Sequence, residues 1–272
     1  MYRLIAFDMD GTLLDSRKTI SKENLAAIHE ARLAGKDVAV CTGRPVAELL
    51  PYEKDFDDIR YLVTACGALL YDRVEHRILK RHTLDSAITP ALLSAIAQED
   101  IMPQALIGGA SYVQKDDLSR MDHYHMGIYT SLYAQCATPV DDMAAFLQEH
   151  SGEFEKVNLY HATMEGRERT RKRLSLLPVD LTNAEASSLE VSIPGVTKGS
   201  GLLDLAKVLG IPKEQVIGVG DADNDIPMLK DAGLGLCMGN GEDRAKEAAD
   251  AVLPTNDENG CAFAIRKYLL SE

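Results

Sequence analysis

The chain opens with four apolar residues, Leu4-Ile5-Ala6-Phe7, that run into Asp8-Met9-Asp10-Gly11-Thr12-Leu13. This reads as a buried strand with chemistry at its end. Side chains alternate along a strand, so Asp8 and Asp10 fall on one side where it finishes. Gly11 then lets the backbone turn with no Cβ to clash. Two carboxylates held side by side repel, and a site that keeps both ionised generally holds a cation. The same pattern also fits two solvated acids just beyond a core strand, so the rest of the chain has to decide.

Beyond this motif the chain settles into a strand–helix rhythm. Ser21 caps an expected helix from Lys22 to about Ala34, which Gly35 closes. Val38–Cys41 reads as a strand, and Thr42-Gly43-Arg44-Pro45 leads into another helix. Tyr61–Ala65 reads as a third strand, turned by Cys66-Gly67-Ala68 into a small antiparallel appendage at 69–71 and 77–79. From about His82 to Leu189 the texture changes to mixed α+β. Helices are expected from Pro90 to Gln98, Pro139 to His150 and Glu165 to Leu177, with strands near 105–107, 157–160 and 179–181. The first rhythm then returns: a strand at 189–193, a helix from Lys198 to about Leu209, the strand Val216–Gly220 that delivers Asp221, a short helix at 227–229, strands at 234–238 and 251–253, and helices at 244–249 and 262–270. Alternating strands and helices predict a mostly parallel sheet, so the expected fold is α/β. Residues 1–82 and 190–272 would form one core, and 83–189 an inserted α+β domain.

Charge narrows the function. A formal net charge of −13 over 272 residues disfavours nucleic acid and anionic membrane as partners, both of which call for a basic surface. An anionic substrate would need a site made locally positive by a metal or by placed Lys and Arg. The five cysteines are odd in number and scattered, as in a reducing compartment. The N-terminal apolar run is too short for a signal peptide, and no stretch approaches a membrane span. These features set the expectation of a cytoplasmic protein.

Four places lie beside the C-terminal end of a strand or the N-terminus of a helix, where α/β sheets bind ligands and anions: Asp8/Asp10, Thr42-Gly43-Arg44, Lys198-Gly199 and Gly220-Asp221-Ala222-Asp223-Asn224-Asp225. Asp8, Asp10 and Asp221 offer hard oxygen ligands suited to Mg²⁺. Thr42 brings a hydroxyl, Lys198 a point charge for a phosphate oxygen, and Asn224 an amide able to donate or to orient a carboxylate. A carboxylate can also act as a nucleophile towards phosphorus.

In order and spacing these four motifs resemble those of the haloacid dehalogenase (HAD) superfamily of phosphatases. The large insert and the tail segments Met238-Gly239-Asn240 and Asn256–Gly260 resemble its Cof-type branch. The resemblance runs the length of the chain. It implies a Rossmann-like core with an inserted α+β cap, and a Mg²⁺-dependent phosphatase that hydrolyses small phosphomonoesters, sugar phosphates first among them, through an aspartyl-phosphate. By the same resemblance Asp8 would be nucleophile and metal ligand. Asp10 would be the acid and base, with its backbone carbonyl on the metal, and Asp221 would complete the ligands. Thr42, Lys198 and Asn224, with backbone N–H groups near Met9 and Gly43, would hold the phosphate, and Asp225 would support from behind. The insert would close over the site as a mobile cap and select the leaving group. The partner expected is a small phosphorylated metabolite; oligomeric state is not legible. A phosphotransferase or mutase on the same site, or a sugar-phosphate sensor without turnover, remain alternatives.

The chain departs from the family at Cys66, where Asn is usual, and at Gly241 and Cys261 in the tail. We read these as a small residue in a tight turn and as packing variations. His123 and His125 lack a third ligand at metal spacing, and the basic run Arg167–Arg173 carries its own acids, Glu165 and Glu168, so both are expected to be surface features. No glycine-rich nucleotide fingerprint is complete.

Overall fold

The structure, a computed structural model, describes residues 1–183 and 186–271. Its strands in chain order are β1 (Leu4–Phe7), β2 (Asp37–Cys41), β3 (Tyr61–Thr64), β4 (Leu69–Asp72), β5 (Arg77–Arg81), β6 (Ile101–Ile107), β7 (Ala110–Gln114), β8 (Ala137–Val140), β9 (Lys156–His161), β10 (Asp180–Thr182), β11 (Ser188–Ser192), β12 (Val216–Gly220), β13 (Leu234–Cys237) and β14 (Ala251–Val252). They form two sheets in two compact units. One unit holds Met1–Gly43, Tyr52–Lys80 and Val196–Glu272; the other holds Arg44–Pro51 and Arg81–Gly195.

The first unit is built on a sheet of order β14-β13-β12-β1-β2-β3-β4-β5. Its pairs from β14 through β3 are parallel, and β4 turns back antiparallel on β3. The α/β reading therefore holds. β1 and β12, the two apolar runs that carry acids, lie side by side at the centre, with Phe7 opposite Val219. Each is buried along its whole length, as strands covered on both faces must be. One face packs Leu4, Ala6, Ala39 and Val63 against Leu202, Leu205 and Met228 from the helices Lys198–Val208 and Ile226–Asp231. The antiparallel appendage expected at 69–71 and 77–79 is present as β4 and β5, which extend this sheet at its edge.

The second unit holds a sheet of order β10-β11-β9-β6-β7-β8, antiparallel except for the β7–β8 pair. Leu92, Leu147 and Leu174, from the helices Thr89–Gln98, Met143–Glu149 and Met164–Leu174, cover one face together with Ala105, Val157, Leu159 and Leu189 of the strands. β11 pairs with β9, so the segment at 190–195, expected in the core, belongs to this unit, as do 44–51.

Proline explains where sequence and structure part. Pro103 sits inside β6, opposite Leu159, and hid the first half of a strand expected only near 105–107. Pro139 does not open a helix. It lies in β8 at the sheet edge, where a missing N–H is tolerated, and the helix begins later, at Met143, capped by Asp142. Among the described residues no helix is long and apolar enough to cross a membrane.

Candidate active site

Three adjacent strands end together. Asp8 follows β1, and its N–H donates to the carbonyl of Val219 at 2.9 Å, so it is held beside the end of β12. On its other side β2 leads to Thr42, whose N–H donates to Val63 at 2.8 Å and whose carbonyl accepts from the Cys66 N–H at 3.0 Å. β12 leads to Asp221. Lys198 approaches as the first residue of its helix, which Thr197 and Ser200 cap reciprocally: the Thr197 hydroxyl accepts from the Ser200 N–H, and the Ser200 hydroxyl from the Thr197 N–H.

Lys198 joins these pieces. Its ammonium donates to Asp8 Oδ1 at 2.7 Å, to Asp225 Oδ1 at 2.6 Å and, more weakly, to Asn224 Oδ1 at 3.3 Å. Only 1% of the lysine is exposed, and Asp8 and Asp225 are 5% and 0% exposed, so this is a buried ion cluster. Asp225 is itself fixed from the other side, its Oδ2 accepting from the N–H groups of Asp221 and Ala222. A Cβ at position 220 would come within 2.4 Å of the Asp225 side chain, which accounts for Gly220. Thr12 donates its hydroxyl to Asp221 Oδ1 at 2.6 Å. Gly11, at φ +82°, lies so near Asp221 that a Cβ there would sit 2.4 Å from Oδ2. The Asn240 amide donates to the Gly11 carbonyl, and Asn256 donates to that of Leu14, tying the loop after β1 to the chain's last segment.

Electrostatics follow from burial. Burial pushes the Asp8 carboxyl up to about 8, with Lys198 pulling the other way and Asp225 and Asp221 adding to the rise. Burial likewise raises Asp221 to about 6, opposed by the Thr12 hydrogen bond. Burial works against the Lys198 ammonium too, but Asp225 and Asp8 outweigh it and hold the group well above its ordinary value. One ammonium thus faces more carboxylate than it can balance. Oxygens of Asp8, Asp221 and Asp225 lie within 4.8 Å of one another, a hard-oxygen donor set whose surplus negative charge suits a small divalent cation.

The expected residues divide by how they are held. Asp8, Lys198, Asn224 and Asp225 share one hydrogen-bonded group, with Asp221 joined through its N–H to Asp225 and held separately by the Thr12 hydroxyl. Asp10 is outside that carboxylate cluster; its side chain is 40% exposed and accepts from Lys18 at 2.9 Å. Met9 is buried, its carbonyl accepting from Leu14 at 2.9 Å, and Gly43 follows Thr42 as the last residue of the unit's first segment. Sequence reading missed the service of Thr12 to Asp221 and of Lys18 to Asp10. For Thr12, its place within the acidic motif was a signal; for Lys18, eight positions on in a loop, there was none. Cys66 adopts a left-handed conformation (φ 55°, ψ 34°), which a backbone with Asn there would take with less strain. Arg169 and Arg173 both pair with Glu99, and Arg171 with Asn183 and the Leu181 carbonyl, so these members of the basic run are structural. His123 binds Asp100.

A family model described as haloacid dehalogenase-like hydrolase matches residues 5–265. The chain belongs to the haloacid dehalogenase-like hydrolase family. Among curated relatives, the Bacillus subtilis phosphatase YwpJ is 29% identical, the alignment covering 98% of this chain and 100% of that protein. The 5-amino-6-(5-phospho-D-ribitylamino)uracil phosphatase YcsE of the same organism is 30% identical, over 98% and 96%. A solved haloacid dehalogenase-like hydrolase from B. subtilis superposes with a TM-score of 0.82 at 29% identity, covering 98% of this chain and 100% of that one. With the family model and full-length phosphatase relatives in agreement, the haloacid dehalogenase-like chain is a phosphatase.

Proposed function

We propose that the protein is a Mg²⁺-dependent phosphomonoesterase acting on small phosphorylated metabolites, sugar phosphates first, by way of a phosphorylated Asp8. The observation that carries this reading is the buried Asp8 carboxylate, held by Lys198 at 2.7 Å beside Asp221 and Asp225. An Asp8 oxygen bonds to phosphorus as the bond from phosphorus to the leaving oxygen breaks, and Asp10 gives that oxygen its proton. Asp10, now a carboxylate, takes a proton from water as the water oxygen attacks phosphorus; the Asp8–phosphorus bond breaks and inorganic phosphate leaves. With its side chain 40% exposed, Asp10 is open to solvent for that exchange. Lys198, Thr42 and Asn224, with the N–H groups of Met9 and Gly43, hold the phosphoryl oxygens. The side chains of Asp8 and Asp221 and the carbonyl of Asp10 would hold Mg²⁺, which when bound supplies positive charge to those oxygens. We assign choice of the leaving group to the second unit. The relative YcsE is named for a substrate with a phosphorylated ribityl chain, and that supports a polyhydroxylated leaving group.

The test is hydrolysis of p-nitrophenyl phosphate by purified protein. Activity should disappear with EDTA, return with Mg²⁺, and be lost in Asp8→Asn. Undiminished turnover in that variant would remove Asp8 from the mechanism.

A further inference from the structure

The face of the second sheet opposite the helices Thr89–Gln98, Met143–Glu149 and Met164–Leu174 is partly covered by an apolar cluster in which Met102, Val113 and Tyr160 pack with Tyr133 of the helix Thr130–Cys136. Beside that cluster runs a row of polar groups, and one of them is buried without a partner among the described residues. Register places Gln104 of β6, Asn158 of β9 and Glu190 of β11 in one row across three strands, with Lys156 and Tyr160 on the same face of β9. The hydrogen bonds in this row have a fixed sense. Glu48 can only accept as a carboxylate, so it takes the Gln104 Nε2 group at 2.7 Å, and Ser111 takes the same nitrogen at 2.7 Å. Gln104 Oε1 is thereby turned the other way, and accepts from Asn158 Nδ2 at 2.7 Å and from the Tyr160 hydroxyl at 3.1 Å. That fixes Asn158 in turn: flipping its amide would set two carbonyl oxygens against each other. Asn158 Oδ1 is left buried with no hydrogen-bond partner among the described residues. Across the row on its β11 side is Glu190, an acceptor, and the nearby ammonium of Lys156 donates to Glu190 at 2.9 Å.

A buried amide oxygen without a donor is costly, and here a relay that begins at Glu48 keeps it so. We propose that Asn158 is a specificity-determining residue whose Oδ1 accepts a hydrogen bond from a hydroxyl of a polyhydroxylated ligand. Glu190, whose Oε1 takes the buried Lys156 ammonium at 2.9 Å, stands beside it as a further acceptor for a neighbouring hydroxyl. The proposal rests on the phosphatase reading only for the source of the ligand, the alcohol part of a phosphomonoester. Gln104 and Glu48 are positioning residues that orient the Asn158 amide.

Two measurements test it. Ribitol titrated into the ¹⁵N-labelled full chain should shift the Asn158 side-chain amide signal, identified through its hydrogen bond to the Tyr160 hydroxyl at 3.3 Å, to saturation. In Asn158→Leu, the ratio of kcat/KM for ribitol 5-phosphate to that for p-nitrophenyl phosphate should fall about tenfold, the usual worth of one such bond. An amide signal indifferent to ribitol overturns the proposal, as does an unchanged ratio in a folded variant. If Asn158→Leu does not fold, the titration of the unaltered chain decides. Failure of the unaltered protein to hydrolyse either ester would count against the phosphatase reading, and the ribitol titration would still decide the role of Asn158.

Discussion

Replacing Lys198 by Met removes the charge at the centre of the site while keeping a side chain of similar length and apolar stem. In the native structure all three ammonium donors are used, two of them on carboxylates at 2.7 and 2.6 Å, and the group is 1% exposed. Removing one partner from such a buried cluster leaves uncompensated charge and typically costs about 3–5 kcal/mol. We expect the lower end, about 3 kcal/mol, because Asp8 is already raised to about 8 by burial and can shed its charge by taking up a proton near neutral pH. Urea denaturation at pH 7.5 in EDTA measures the loss. A cycle with Asp225→Asn then isolates the ion pair, with an expected coupling of about 2 kcal/mol. Phosphatase activity should fall below detection in either variant. A Lys198→Met protein within about 0.5 kcal/mol of wild type, with effects that simply add, would refute the reasoning that this cluster is a coupled, buried unit.

Further predictions concern protons, glycine and strain. Because burial raises Asp8 to about 8 and Asp221 to about 6, the native state binds more protons than the unfolded chain from about pH 4 upward. In EDTA, stability should therefore decline as pH rises through about 4–8, and Mg²⁺, which needs ionised ligands, should raise Tm more at pH 8 than at pH 5. An equal rise at both would speak against these carboxylates as ligands. Gly11→Ala forces a left-handed alanine against Asp221. It should cost about 1–2 kcal/mol in urea and weaken Mg²⁺ stabilisation, and an unaltered Mg²⁺ response would contradict the contact. Cys66→Asn relieves a left-handed cysteine and should gain about 0.5–1 kcal/mol in urea; a loss would mean that the thiol's packing matters more than its backbone.

Why some of this was legible in sequence is a matter of range. Strands buried on both faces show as unbroken apolar runs, so Leu4–Phe7 and Val216–Gly220 announced themselves, and their parallel pairing brought Asp8 and Asp221 to one edge. The start of the helix that carries Lys198 was also legible, and the structure adds the reciprocal Thr197–Ser200 cap that fixes it there. The second unit was harder, because Pro103 inside β6 and Pro139 in β8 use positions that propensity assigns to breaks or helix starts. Hardest were contacts set by tertiary approach. Thr12 reaches Asp221 across 209 positions, and the Glu48–Gln104–Asn158 relay across 56 and then 54. No local pattern encodes either.

Covalent capture of the intermediate tests the central claim most directly. Enzyme turning over p-nitrophenyl phosphate is quenched in acid, reduced with borohydride and mapped by peptide mass. A phosphorylated Asp8 should be converted to homoserine at position 8 and nowhere else. Active enzyme that yields an unmodified Asp8, or a reduced residue at another aspartate, would contradict the assignment of Asp8 as the group that takes the phosphoryl from substrate.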